Sequence, residues 1–201
     1  MIVERRVASQ NVRAACAQAH ARAAENVLDT FEKLAQSGKE LRAGTQIRFG
    51  WTLFRLTDEA NGLLVSEPDF AAWPEERWVS TIDKSLEVLA AQVRLLHRLD
   101  VDGEDAFFDQ FVITAPGSVS QPKVFLRRDA SISSEDSGWV LGGVEDPEAL
   151  TRDDLERIAI ANFVQLRPPF LQALSLPVGF IVQFSEDSIE QIFDAGGRAR
   201  L

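Results

Sequence analysis

The chain has 201 residues, 45% hydrophobic and 26% charged, the balance of a soluble globular protein that buries a core without staples. Its formal net charge of -10 opposes the phosphate backbone of nucleic acids and makes a basic partner easier to accommodate. The single cysteine, Cys16, excludes an intramolecular disulfide, and with only His20 and His97 as imidazoles a Cys/His zinc site is not expected.

The opening stretch MIVERRVASQ lacks the apolar core of a signal peptide, and no apolar run reaches the ~18 residues of a membrane span, so a cytoplasmic location is expected. From residue 7 to 37 the positions Val12, Cys16, Ala19, Ala23, Val27, Phe31 and Leu34 recur at threes and fours. That spacing predicts a long, alanine-rich N-terminal helix stopped at Gly38. Cys16 and His20 fall one turn apart on it, either as a thiol–imidazole pair or as a buried thiol beside an edge histidine; the second is the ordinary condition of a free cysteine. TQIRFGWTLFRL (45–56) and GLLVSEP (62–68) flank the turn signal DEANG and predict two paired strands, the second ended by Pro68.

Trp78, Ile82, Leu86, Leu89, Val93 and Leu96 predict an amphipathic helix from Glu76 to Leu99. The acidic loop Asp100–Asp105 around Gly103 lacks the twelve-residue calcium pattern and reads as a solvated connection and the internal boundary. Strands are expected at 109–114, at 122–128 and through Trp139. Thr151 and Asp154 have the spacing of a helix N-terminal cap ahead of LERIAIANF; Pro168 and Pro169 interrupt that helix, and FLQAL forms a short one. GFIVQF (179–184) reads as a buried strand and DSIEQIF as helical. The fold class is therefore α+β, a mostly antiparallel sheet with packed helices and a long N-terminal helix, divided into residues 1–108 and 109–201.

Neither histidine belongs to a nucleophile motif, and GWVLGG and AGGR lack the lysine of a phosphate loop and the glycine order of a dinucleotide fold. No cofactor is expected. Carboxylates are the remaining enzymatic candidates: Glu67, Asp69, Asp136, Glu145 and Asp146 are suited to Mg²⁺ or Ca²⁺, and a metal-dependent hydrolase using Asp69, Asp136 and Glu145 is the enzyme alternative. Against it, 31 acidic residues generate such clusters as solvated turns. A housekeeping interaction module is a third possibility.

FLRR (125–128), EDSGW (135–139), the pair Glu145–Asp146, IANF (160–163), the Pro168 segment and LPVGF (176–180), in that order and spacing, resemble immunity protein family thirty-three of bacterial polymorphic toxin systems. The resemblance spans about residues 109–185; FGWTLF and SEPDF look like the N-terminal half of longer relatives. It implies a cytoplasmic, non-catalytic protein that binds and neutralises a cognate toxin. An acidic chain fits a basic, nuclease-like effector, because charge complementarity speeds encounter. The candidate contact residues are Glu135, Asp136, Trp139, Glu145 and Asp146, although Trp139 reads first as a core anchor. Arg127, Ser137, Gly138 and Asn162 are the fold-defining positions, with Gly138 allowing a tight turn that Asp136 caps.

Overall fold

The computed structural model describes residues 1–73, 76–143 and 154–201. Its internal contacts divide the chain into Met1–Ala90 and Ala91–Leu201. Both units are α+β and mostly antiparallel, as the sequence predicts. Among the described residues no helix is long and apolar enough to cross a membrane.

The first unit begins with a hairpin, β1 (Ile2–Val7) and β2 (Gln10–Ala15), followed by a 3-10 turn at Gln18–His20 and helix α1 (Ala21–Gln36). The N-terminal helix therefore exists, but residues 7–17 are not part of it. Val12, Ala14 and Cys16 are buried at every second position, the period of a strand. The helical period holds only from Ala24, through Val27, Leu28 and Phe31, all fully buried. Past the helix end, Gly38 takes φ +89° and donates to the Ala35 carbonyl, so it acts as the expected stop.

Strands β3 (Gln46–Phe49), β4 (Thr52–Glu59) and β5 (Gly62–Pro68) form a meander, and β5 returns parallel to β2. Residues 45–56 are thus two strands rather than one. They fold back at Gly50, whose φ is +57° and where an added Cβ would lie 2.3 Å from the Leu89 side chain. The two-residue β6 (Trp78–Val79) pairs with the end of β5, and helix α2 spans Asp83–Leu99, starting seven residues later than predicted. Trp78 is consequently a strand residue, and Val93 is 62% exposed instead of completing the apolar stripe.

Glu67 explains where α2 begins. Its buried carboxylate accepts the Lys84 amide at 3.1 Å and the Ser85 amide at 2.6 Å, satisfying two donors in the first turn of the helix. Burial pushes the Glu67 carboxyl above its ordinary value, outweighing the lowering by the Ser85 hydroxyl and the two amides. The folded state therefore holds this proton to higher pH than the unfolded chain does. Stability from this group is fully present below the unfolded pKa and is lost as pH rises through the folded one. Wild type should lose stability relative to Glu67→Gln as pH rises above the ordinary carboxylate range, read from urea midpoints. A pH-independent difference between the two proteins would remove Glu67 from the account.

The division between the units falls inside α2, upstream of the Asp100–Asp105 loop. That loop is bound to the second unit: the Glu104 amide donates to Ser175 O at 2.9 Å, and Ala106 is buried. In the same unit the buried Gln92 of α2 donates to Leu171 O at 2.9 Å.

The second unit contains β7 (Phe111–Thr114), β8 (Lys123–Arg128), β9 (Asp136–Gly143), β10 (Glu156–Ala159), the single turn α3 (Phe163–Leu166), β11 (Ile181–Ser185) and β12 (Ser188–Phe193). Their order is β10-β7-β9-β8-β11-β12, with only β7 and β9 parallel. Trp139, Leu141, Leu126, Val182 and Phe184 are buried, as are Phe163, Phe170, Leu171 and Leu174 of the segment that follows β10. Phe170 and Phe184 join the two groups with ring centroids 4.6 Å apart.

Two predicted helices in this unit are strands. LERIAIANF becomes β10 and a 3-10 turn at Ile160–Asn162, because its backbone finds partners on the β7 side: Ile160 N bonds Gln110 O and Ala161 N bonds Phe108 O. The proposed cap residue Thr151 lies outside the described residues. DSIEQIF pairs with β11 after a turn in which Glu186 takes φ +51°. Pro168–Gln172 forms a 3-10 turn where the short helix FLQAL was expected.

Candidate functional site: the Asp136–Trp139 bulge

Along β9, Asp136 is opposite Phe111 and Val140 is opposite Ile113, so Ser137, Gly138 and Trp139 share a single partner position, Val112. The motif is a bulge of unusual width, and each residue has a distinct part in it. Asp136 accepts the Gly138 amide at 2.8 Å and the Ile132 amide at 3.0 Å, one with each carboxylate oxygen. Ser137 donates to Phe111 O at 2.6 Å and accepts the Trp139 amide at 3.2 Å. Gly138 has φ +75°, and a Cβ there would sit 2.2 Å from the Asp129 carbonyl oxygen, so only glycine fits.

The bulge turns Trp139 wholly into the core, where its indole N–H donates to Leu174 O at 3.1 Å. A partner cannot reach a ring with no exposed surface, so Trp139 is the core anchor and leaves the set of surface contacts. Glu135 is exposed beside it. Glu145 and Asp146 lie outside the described residues.

The arginine that fixes this corner is Arg128, not Arg127. Arg127 is half exposed and forks onto Asp129 two residues along the chain. Arg128 is directly across the strand from Trp139, is 4% exposed, and its guanidinium carbon lies 5.6 Å from the Trp139 ring centroid. Its Nη1 donates to the carbonyls of Glu104 at 2.5 Å, Leu176 at 2.8 Å and Leu174 at 3.2 Å, and Nη2 reaches the Glu104 carboxylate at 3.3 Å. Burial lowers the Arg128 pKa, opposed by Glu104 and Asp105. The guanidinium thus ties the 100–105 loop and the 174–176 segment to the sheet. In the fold Val124, Leu126 and Arg128 share the buried face of β8.

A second buried arginine, Arg167, went unrecognised in the sequence. It donates to the carbonyls of Val119, Gln121 and Glu186 and to the carboxylate of Asp187 at 3.3 Å, while covering Phe170. Asn162 is half-buried at the start of α3 and makes no side-chain capping bond.

The remaining carboxylate candidates have local partners. Glu67 caps α2, and Asp69 accepts the Ala71 amide two residues on. Among the described residues no group of three or more His, Cys, Asp or Glu side chains is arranged to hold a metal ion. Cys16 is buried; desolvation, then the Asp83 carboxylate, raise its thiol pKa against the lowering by the N-terminal ammonium. His20 turns to Asp83, 3.2 Å away. This is the buried thiol and edge histidine, without an activated nucleophile.

The bulge, its glycine and the downstream Ile-Ala-Asn turn lie within a match to the family model described as Imm33-like domain, which covers residues 91–195. The chain belongs to the Imm33-like family. No curated protein and no solved structure matches it. The match extends beyond the 109–185 span read from the sequence and begins at Ala91, the first residue of the second unit. The Imm33-like unit also holds most of the negative charge: 18 Asp and Glu against 10 Lys and Arg, compared with 13 against 11 in residues 1–90.

Proposed function

We propose that the protein binds a cognate bacterial toxin stoichiometrically in the cytoplasm and neutralises it without catalysis. The observation that carries this reading is the family match over the unit holding the acidic excess. Two of that unit's ten basic side chains, Arg128 and Arg167, are buried against backbone carbonyls, which leaves its surface more acidic than the count alone. Such a surface attracts a basic effector, for example a nuclease domain, and discourages partners of like charge. Glu135, Glu145 and Asp146 are the proposed contacts, with Asp136 holding the backbone beside Glu135.

Affinity capture of the tagged protein from cells expressing candidate effectors, at low and moderate salt, tests this reading. The expected result is one stoichiometric partner carrying a basic effector domain, retained less well as salt rises and inactive in the 1:1 complex. Recovery of no stoichiometric partner, or of one whose activity persists in the complex, would count against neutralisation.

A further inference from the structure

We propose that the outer face of the first unit's sheet docks an acidic segment of a partner protein, one of whose carboxylates is taken by Arg55. This face lies outside the Imm33-like match, so the proposal goes beyond the toxin-binding reading and does not depend on it. On β4 the buried Thr52, Phe54 and Leu56 alternate with Leu53, Arg55 and Thr57, which are half-exposed on the opposite face. Register carries that face across the sheet: Arg55 is opposite Gln46 of β3 and Ser66 of β5, Leu53 is opposite Arg48, and Thr57 is opposite Leu64. Trp78 of β6 reaches the same guanidinium, whose carbon lies 5.4 Å from the ring centroid.

None of these register neighbours of Arg55 carries a carboxylate, and the one charged residue among them is Arg48. Other arginines of the unit are paired: Arg13, on the same face of β2, meets Glu59 at 2.9 Å and Glu4 at 3.7 Å, and Arg5 meets Asp29 and Glu32. The Arg55 Nε is sealed from solvent without a partner, and among the described residues no hydrogen bond or ion pair reaches its two Nη groups, which are not sealed. The ring holds the plane of the fork, so an incoming carboxylate takes both Nη groups at once with little ordering cost left to meet. Leu53, Leu64 and Trp78, all half-exposed, offer apolar contact to the residues flanking that carboxylate. A protein carboxylate suits the face better than a nucleic acid does. A run of phosphates extends past the ~8 Å over which charge acts in physiological salt and meets the acidity of the whole chain, whereas one carboxylate meets the local cations.

The test titrates a short peptide of alternating glutamate and leucine into the full isotope-labelled chain and follows the Trp78 indole and Arg55 Nε resonances by NMR. The same peptide with glutamine in place of glutamate, inorganic phosphate and a single-stranded oligonucleotide are the comparison ligands. The expected result is a saturable shift of both resonances by the glutamate peptide and none by the glutamine peptide. Arg55→Gln should raise Kd by ~10-fold or more, and Arg55→Lys, which keeps the charge but not the fork, by ~5-fold or more. Arg13→Gln removes an equal charge from the same face and should raise it by no more than ~3-fold. Circular dichroism melts check that each variant folds; were Arg55→Gln to unfold, the lysine variant and the wild-type titrations decide. Equal binding of the two peptides, an absence of shifts at Arg55 and Trp78, or an Arg13→Gln loss matching that of Arg55→Gln would overturn the carboxylate site. Tighter binding of phosphate or of the oligonucleotide at these resonances would overturn it in favour of that ligand. Each of these outcomes leaves neutralisation standing, because that reading rests on the second unit.

Discussion

Replacing Arg128 by methionine should destabilise the Imm33-like unit by about 3–5 kcal/mol, the range for breaking a buried charged network by removing one partner. The loss follows from what remains behind. Three carbonyl oxygens, those of Glu104, Leu174 and Leu176, lose a donor in a site with little access to water. Lysine should not rescue the variant, since one ammonium cannot reproduce the planar fork that bridges two segments and covers the indole. Arg127→Met is the matched control. Its side chain is half exposed and forks onto Asp129, so about ±0.5 kcal/mol is expected. Urea unfolding followed by circular dichroism compares the two variants, because Trp51, Trp73 and Trp78 of the first unit share any fluorescence signal with Trp139. Equal midpoints for the Arg127 and Arg128 variants would show that the two roles have been assigned wrongly.

Trp139→Ala should cost a similar ~3–5 kcal/mol, through lost burial and the cavity left behind. Trp139→Phe keeps most of the ring contact and removes the N–H donated to Leu174 O, so its smaller loss isolates that bond. Because Arg128 donates to the same carbonyl and lies over the same ring, the two sites should couple by about 0.5–3 kcal/mol in a double-mutant cycle, followed by circular dichroism. Additive losses would mean that the corner is not a single cooperative arrangement. The conservative variant also separates core from interface: folded Trp139→Phe should retain effector affinity, since the buried ring touches no partner.

The Asp136–Trp139 corner was legible, as a tight turn rather than the bulge it forms, because its residues have few alternatives. A glycine at φ +75° against a carbonyl, an aspartate bonding the amide two residues on, and a tryptophan seeking a buried acceptor are local requirements visible in four letters. Arg128 was not legible, although it adjoins the residue that was chosen. In FLRR both faces of the strand offer an apolar side chain, Phe125 and Leu126, so parity does not reveal which arginine turns inward. Phe125 settles on the outer face, where Gly142 leaves it room: a Cβ there would lie 2.2 Å from the ring.

The sequence by itself determined the acidic character, the α+β class, the glycine corner before Trp139 and the family, together with helix α1 from Ala24 onward, where burial follows the period of 3.6 without a rival reading. Tertiary structure decided the rest. Residues 10–15, 156–159 and 188–193 carry apolar side chains whose spacing also suits a helix, and each becomes a strand by pairing with a neighbour. The reason is energetic: local propensities differ by less than about 1 kcal/mol per residue, while a strand placed beside a sheet edge satisfies its backbone and buries one face at once. The same non-local logic places Arg128 and Arg167 inside, because the carbonyls that hold them arrive from segments up to 48 residues away.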